Sequence, residues 1–330
     1  MAIFAMIAAN MASHNYIGEH PFLFRLFGSF AAPTFVFLSG FMVPYTTAAK
    51  KYSVWYFLKR GFAVICVAAL IDIALWGLCP FVSYDVLYMI GLSLPVAFLF
   101  TKVNKWVHLA FCVLIFCMIP FIQQFFGYAD LPTEIELSEG NVWLNFTASP
   151  ILKHFLCDGW FPLFPWIAVS LLGSFFGRLR QEKGPEKVSK PFMIVGSVLV
   201  IIGIADWVLD KPLLITRENY SELFYPPTWE YFSVYIGSIL ILLPVLYKLR
   251  NVMLLHFFAV YGRSSLLMYI LHTVFIVFFF NVNFETKPFI IFAQLFFMNA
   301  FFLWWIALFV QILKDQVKRL PFVLRFVIGG

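Results

Sequence analysis

The sequence predicts an all-α, polytopic membrane protein of about ten transmembrane helices, and three observations carry that expectation. Of 330 residues, 62% are hydrophobic and only 12% charged, and a mean hydropathy of +0.88 leaves no composition for a water-facing surface. The apolar runs approach the roughly 20 residues that a helix needs to cross a bilayer. None shows the strict alternation over about 10 residues that a membrane barrel strand requires. The whole chain, 1–330, reads as one transmembrane domain.

Residues 1 to 13 come first. About 13 helical residues rise only some 20 Å, so this stretch reads as the second half of a first helix. It carries neither the basic n-region nor the A-x-A site of a signal peptide. Nine further spans follow, roughly at 27–47, 57–79, 82–101, 105–125, 159–178, 190–209, 230–248, 254–280 and 287–313. Pro33, Pro95, Pro120, Pro165 and Pro244 interrupt spans. The two halves nonetheless show no symmetry, which argues against an inverted-repeat transporter.

The net charge of +6 is a topology signal here, not a nucleic-acid footprint, because the basic residues lie between spans. Lys50, Lys51, Lys59 and Arg60 share one side with Lys102, Lys105, Arg178, Arg180, Lys183, Lys187, Lys190, Lys248, Arg250 and the tail Lys314, Lys318, Arg319 and Arg325. By the positive-inside rule that side is cytoplasmic, and both termini fall on it. The 126–158 loop carries Asp130, Glu134, Glu136, Glu139 and Asp158 against the single Lys153, and faces outward with 12–26 and 210–229. Asn145 and Asn219 open glycosylation sequons in outward loops, a pattern frequent by chance. The five cysteines have no C-x-x-C spacing, so no metal site is expected, and only Cys79 and Cys157 fall on one side together.

Ionisable residues near or inside spans are the informative ones, since a charge at a helix centre costs about 2.5–3.5 kcal/mol on insertion scales. A polar stretch with Ser13, His14, Glu19 and His20, then Arg25, stands just before the dense apolar run Phe30–Gly40. Asp72, Asp85, Asp158 and Asp206 map to the same outer level as His14 and His20. Asp85 and Asp158 also stand where helix-capping carboxylates stand. In the ninth span Ser265, Tyr269 and His272 recur at spacings of four and three and share one helix face. Lys59-Arg60-Gly61 and Arg263 sit at cytoplasmic depth, where guanidinium groups could hold a phosphorylated donor or simply anchor the span.

Five motifs occur in a shared order: Pro33-Thr34-Phe35-Val36-Phe37-Leu38-Ser39-Gly40, Lys59-Arg60-Gly61, Asp85 through Gly91, Phe161-Pro162-Leu163-Phe164-Pro165-Trp166 with Gly173, and Gly262-Arg263-Ser264-Ser265-Leu266 through Tyr269 and His272. In this the chain resembles the transmembrane acyltransferases related to heparan-alpha-glucosaminide N-acetyltransferase, including their bacterial relatives. The resemblance implies an enzyme of the EC 2.3.1 type that takes acetyl-CoA from the cytoplasmic side and acetylates a sugar amine on the far side. It assigns the catalytic histidine to His20, with His14 second. The family opens with an acidic residue and Arg-Gly at the inner end of span one, and this chain begins just after that place. If that start is real, part of the donor site is missing.

The residues fit that chemistry. Moving an acetyl group from a thioester to an amine or hydroxyl needs a base, and a histidine with pKa near 6.5 suits neutral pH. His20, His14 and His272 are the catalytic candidates, Asp85 could orient an imidazole, and Arg60, Arg263 and Ser265 are candidates for acyl-CoA binding. The expected acceptor is an extracytoplasmic glycan or lipid-linked sugar, with no metal and no nucleic acid. The expected location is the bacterial cytoplasmic membrane, with a homo-oligomer or larger membrane complex compatible with the surface. The alternative is a noncatalytic membrane subunit of the same descent, packed in a larger complex.

Overall fold

The computed structural model describes residues 1–18, 20–127, 134–138, 152–210, 223–225, 227–284, 286–317 and 321–329. Among these the chain is helical, with two isolated backbone bridges, Tyr16 to Lys287 and Leu78 to Glu136, in place of any strand. The sequons at Asn145 and Asn219, and the expected outward charges Asp130 and Glu139, lie outside the described residues.

The helices are α1 (Ala2–Asn15), α2 (Phe22–Gly28), α3 (Ala31–Lys50), α4 (Val54–Ile71), α5 (Val86–Phe100), α6 (Lys105–Cys117), α7 (Ile119–Phe126), α8 (Leu163–Lys183), α9 (Pro185–Asp210), α10 (Trp229–Lys248), α11 (Met253–Gly262), α12 (Ser265–Phe275), α13 (Phe289–Gln316) and α14 (Phe322–Ile328). Their ends follow local chemistry. Asp85 starts α5 by accepting the Val86 N–H at 2.6 Å, and Asn104 starts α6 by accepting the Trp106 N–H at 2.9 Å. Gly127 and Gly184, at positive φ, end α7 and α8.

Among the described residues five helical runs are long and apolar enough to cross a membrane: Phe22–Lys50, Pro185–Leu209, Trp229–Lys248, Ser265–Asn283 and Phe289–Gln316. A sixth follows if α6 and α7, bent by 43°, count as one span. This is fewer than the ten expected. Hydropathy sums apolar residues across places where the backbone breaks. The expected span 254–280 is two helices, because the chain leaves the helix at Arg263–Ser264 and restarts at Ser265. The expected span 57–79 passes from α4 into a π-helical turn at Asp72 and stops at Gly77, which has a φ of 66°. Other apolar stretches form shorter helices, such as α1 with 14 residues and α5 with 15, while α8 has 21 residues but ends in Arg178, Arg180, Glu182 and Lys183.

The chain divides into two compact units. Unit 1 comprises Met1–Ala31, Thr216–Leu223 and Val245–Gly330, and unit 2 comprises Ala32–Ile215 and Phe224–Pro244. In unit 2, α8 is the central helix, buried from Pro165 to Gly177. Trp166 on it is fully buried among the rings of Phe161 and Phe232, at centroid distances of 4.9 and 5.0 Å. Glycines of the motifs are where helix backbones touch. A Cβ on Gly173 would lie 2.0 Å from the Phe37 carbonyl oxygen of α3, and one on Gly61 of α4 would lie 2.2 Å from the Gly91 oxygen of α5. Helices in a bilayer associate through such close approaches at small residues. In unit 1, α1, α12 and α13 pack against one another.

Candidate active site

One set of polar contacts in unit 1 is made by α1. Asn10 Nδ2 lies 2.8 Å from Nε2 of His272, 262 residues away on α12. Nδ1 of His272 lies 3.1 Å from the Met268 carbonyl oxygen. A carbonyl only accepts, so Nδ1 carries the proton of the neutral ring and Nε2 accepts from the Asn10 amide. His272 is wholly buried, with Tyr269 edge-on at 5.3 Å. Both of its ring nitrogens are therefore engaged, and it holds Asn10 in place.

One turn beyond Asn10 stands His14, exposed on the same helix, while Ser13 donates to the Asn10 carbonyl at 2.9 Å. The end of α1 is tied to the segment before α13. Lys287 N–H donates to the Asn15 carbonyl at 2.9 Å, and Ile17 N–H donates to the Lys287 carbonyl at 3.1 Å. Asn15 is buried and donates from Nδ2 to the Phe284 carbonyl at 3.2 Å. This anchorage leads directly to His20, which is 9% exposed with its ring 4.9 Å from Tyr16 and 6.1 Å from Phe24. Tyr16 and Phe24 in turn pack on Phe292 of α13. His20 thus sits in an aromatic setting at the end of α1, and His272 sits beside the middle of that helix.

At the other end of α12, Arg263 is exposed and donates to Gln311 Oε1 at 3.2 Å. Ser264 is fully buried and its hydroxyl is 3.4 Å from Lys314 Nζ. Ser265 is exposed in the first turn. It shares a face with Tyr269 and His272 as expected, but two turns, about 10 Å, separate it from His272.

The other candidates belong to unit 2. Asp85 is half-buried and serves as the N-cap of α5. Arg60 is exposed on α4 and donates to the Tyr56 hydroxyl at 3.4 Å. Each of the four carboxylates expected at one level has a partner. Asp72 accepts from the Tyr88 hydroxyl at 2.6 Å, and Asp206 accepts from Trp229 Nε1 at 2.7 Å. Asp158 is held from two sides, by His154 Nδ1 at 2.6 Å and Lys153 Nζ at 3.0 Å. Burial alone would raise the Asp158 pKa, but the bonds from His154 and Lys153 outweigh it and hold the carboxyl below its usual value. The neighbouring Cys157 thiol is pushed up to about 11, by burial first and the Asp158 charge second. None of the five cysteines, Cys79 and Cys157 included, is in a disulfide.

Asn10 and His154 were not singled out in the sequence. An asparagine inside the apolar run Ala2–Ala12 is the signal that could have found the first. A histidine four residues before a carboxylate could have found the second.

Apolar helices of bilayer-crossing length define an integral membrane protein, and an amide–imidazole pair joins two of its helices. Set against known protein families, residues 1–209 match heparan-alpha-glucosaminide N-acetyltransferase, catalytic. The chain belongs to this family of membrane acetyltransferases. Among curated proteins nothing matches. The match spans α1 to α9 and includes Asn10, His14, His20, Arg60 and Asp85, while Arg263, Ser265 and His272 lie beyond it.

Proposed function

We propose that this protein moves an acetyl group from cytoplasmic acetyl-CoA to an amine or hydroxyl of an extracytoplasmic sugar, free or lipid-linked. The observation that supports this reading best is the Asn10 to His272 hydrogen bond, a polar contact across two helices in the interior of unit 1. His20 is the proposed base, with His14 as its substitute. Its ring takes the proton of the acceptor, whose lone pair attacks the thioester carbon. The new N–C or O–C bond forms, the C–S bond breaks, and the thiolate leaves and is protonated to CoA. Asn10, steadied by His272, offers its carboxamide oxygen to the N–H or O–H of the acceptor. Arg263 and Ser265 of unit 1 are proposed to take the phosphates of the donor. Arg60 of unit 2 is a candidate for the same class of ligand, and Asp85 is a candidate to orient the acceptor.

In this reading the basic loops face the cytoplasm of a bacterial cell, and the helices α1, α4, α5 and α8 complete about ten crossings. A membrane-embedded carrier makes sense of the chemistry, since CoA does not cross a bilayer whereas an acetyl group handed along a polar interior can. The test is transfer from labelled acetyl-CoA to glucosamine in proteoliposomes with His20→Ala and His14→Ala. Loss in His20→Ala is expected, and full activity in both variants removes the proposed base.

A further inference from the structure

Asn299, near the middle of α13, is 2% exposed. A side-chain amide has two donors and an acceptor oxygen with two lone pairs. Here the hydrogen bond of the amide runs from Nδ2 to the thioether sulfur of Met11, at 3.1 Å. Oδ1 is enclosed and has no partner. A thioether is a weak acceptor, and a buried amide without good partners is destabilising in a low-dielectric interior. An asparagine kept for helix association in a membrane bonds to a polar group on the facing helix. Asn299 faces instead the most adaptable side chain available, unbranched and with three rotatable bonds.

Its position explains this pairing. Met11 follows Asn10 directly on α1, so successive residues of one helix touch Asn299 on α13 and His272 on α12. The half-satisfied amide lies one residue's step along α1 from the amide–imidazole pair. A group with an acceptor oxygen would replace the thioether at Nδ2 once the Met11 side chain turns aside, whereas Oδ1, itself an acceptor, is completed only by an N–H or O–H donor. Resting on the acyl-transfer reading given above, we infer that Asn299 binds the carbonyl oxygen of the acyl group, with Met11 as the movable placeholder of that site.

During transfer the attack on the thioester carbon places a negative charge on this oxygen. As the C=O bond re-forms, the C–S bonding pair leaves with sulfur as the thiolate, while the acceptor's proton goes to histidine and then to the thiolate. The Asn299 N–H donates to the oxygen while it is charged. A donor buried and aimed in advance acts most strongly there, and removing one such donor lowers kcat on the order of 10²–10³-fold.

The experiment compares full-length wild type with Asn299→Leu, which keeps the side chain's size and removes its polarity. It reads thermal midpoint and single-turnover acetyl transfer in detergent and in proteoliposomes. The expected result is an unchanged or raised midpoint with kcat down on the order of 10²-fold or more and little change in KM for acetyl-CoA. A lowered midpoint with wild-type kcat per folded molecule overturns the inference and makes Asn299 a structural tie. If Asn299→Leu does not fold, Asn299→Ala decides on kcat alone, a fall of the same size supporting the inference and a wild-type value overturning it. Wild type that transfers no acetyl group, with His20→Ala equally silent, overturns the acyl-transfer reading itself and this inference with it. An active wild type beside an equally active Asn299→Leu overturns only the role of Asn299.

Discussion

The carboxylates of unit 2 and two buried amides of unit 1 are treated in opposite ways. In unit 2 the charged Asp158 has both oxygens matched, one by His154 and one by Lys153, and Asp72, Asp85 and Asp206 each accept a hydrogen bond. In unit 1 two neutral amides, Asn15 and Asn299, each keep an enclosed oxygen without a partner. A charge left unmatched in a low-dielectric interior is far more costly than an unmatched amide, so carboxylates must be completed during folding. Amides can wait for a ligand. The contrast teaches that the most conspicuous carboxylates of the sequence are matched within the scaffold, while two quieter amides are not.

The largest effect that could break this contrast is on rate. His20→Ala should lower acetyl transfer by about 10²–10⁴-fold with little change in thermal midpoint. His154→Ala should do the reverse, and equal rate losses in the two would erase the distinction. Next comes Asp158→Ala, expected to lower unfolding free energy by about 3 kcal/mol, the low end of the range for breaking a buried pair. The low end applies because Lys153 is 40% exposed and rehydrates readily. Titrated unfolding in mixed detergent measures it, with kcat per folded molecule staying at wild type.

Gly173→Ala should cost about 1–3 kcal/mol, since its Cβ would meet the Phe37 carbonyl and force α3 and α8 apart. A midpoint equal to wild type would show that the helices can separate without loss. The pH dependence sharpens the same point. Because the folded Asp158 carboxyl is held below its ordinary value of 3.8, the stability it contributes is fully present above about pH 5. That contribution is lost as pH falls toward and through the folded pKa. Wild type should therefore lose midpoint between about pH 5 and 3 more steeply than Asp158→Asn does. The smallest effect is Lys153→Ala, worth at most about 1 kcal/mol because its ammonium is largely solvated.

Much of the helix placement was legible. Apolar runs near 190–209, 230–248 and 287–313 became α9, α10 and α13 within a few residues, because a bilayer-length apolar run has no other way to satisfy its backbone. Breaks were less legible. Gly262-Arg263-Ser264 interrupts an apolar run without proline, and hydropathy averages over it. Of the candidate site, His272 was visible as a histidine inside a span and Asp85 as a cap. Asn10 and Asn299 passed as incidental polar residues in runs of alanine and phenylalanine.

By itself the sequence determined that the protein is helical and membrane-embedded, and its ordered motifs carried the family to which it belongs. Those properties follow from composition and from motif order along the chain, which need no knowledge of what touches what. Only the tertiary structure decided that His272 meets Asn10, that Asn299 rests on Met11, and that Asp158 is held by His154 and Lys153. Such pairings join residues as many as 288 positions apart. Whether a polar side chain is completed or left waiting depends on which helix lies opposite it.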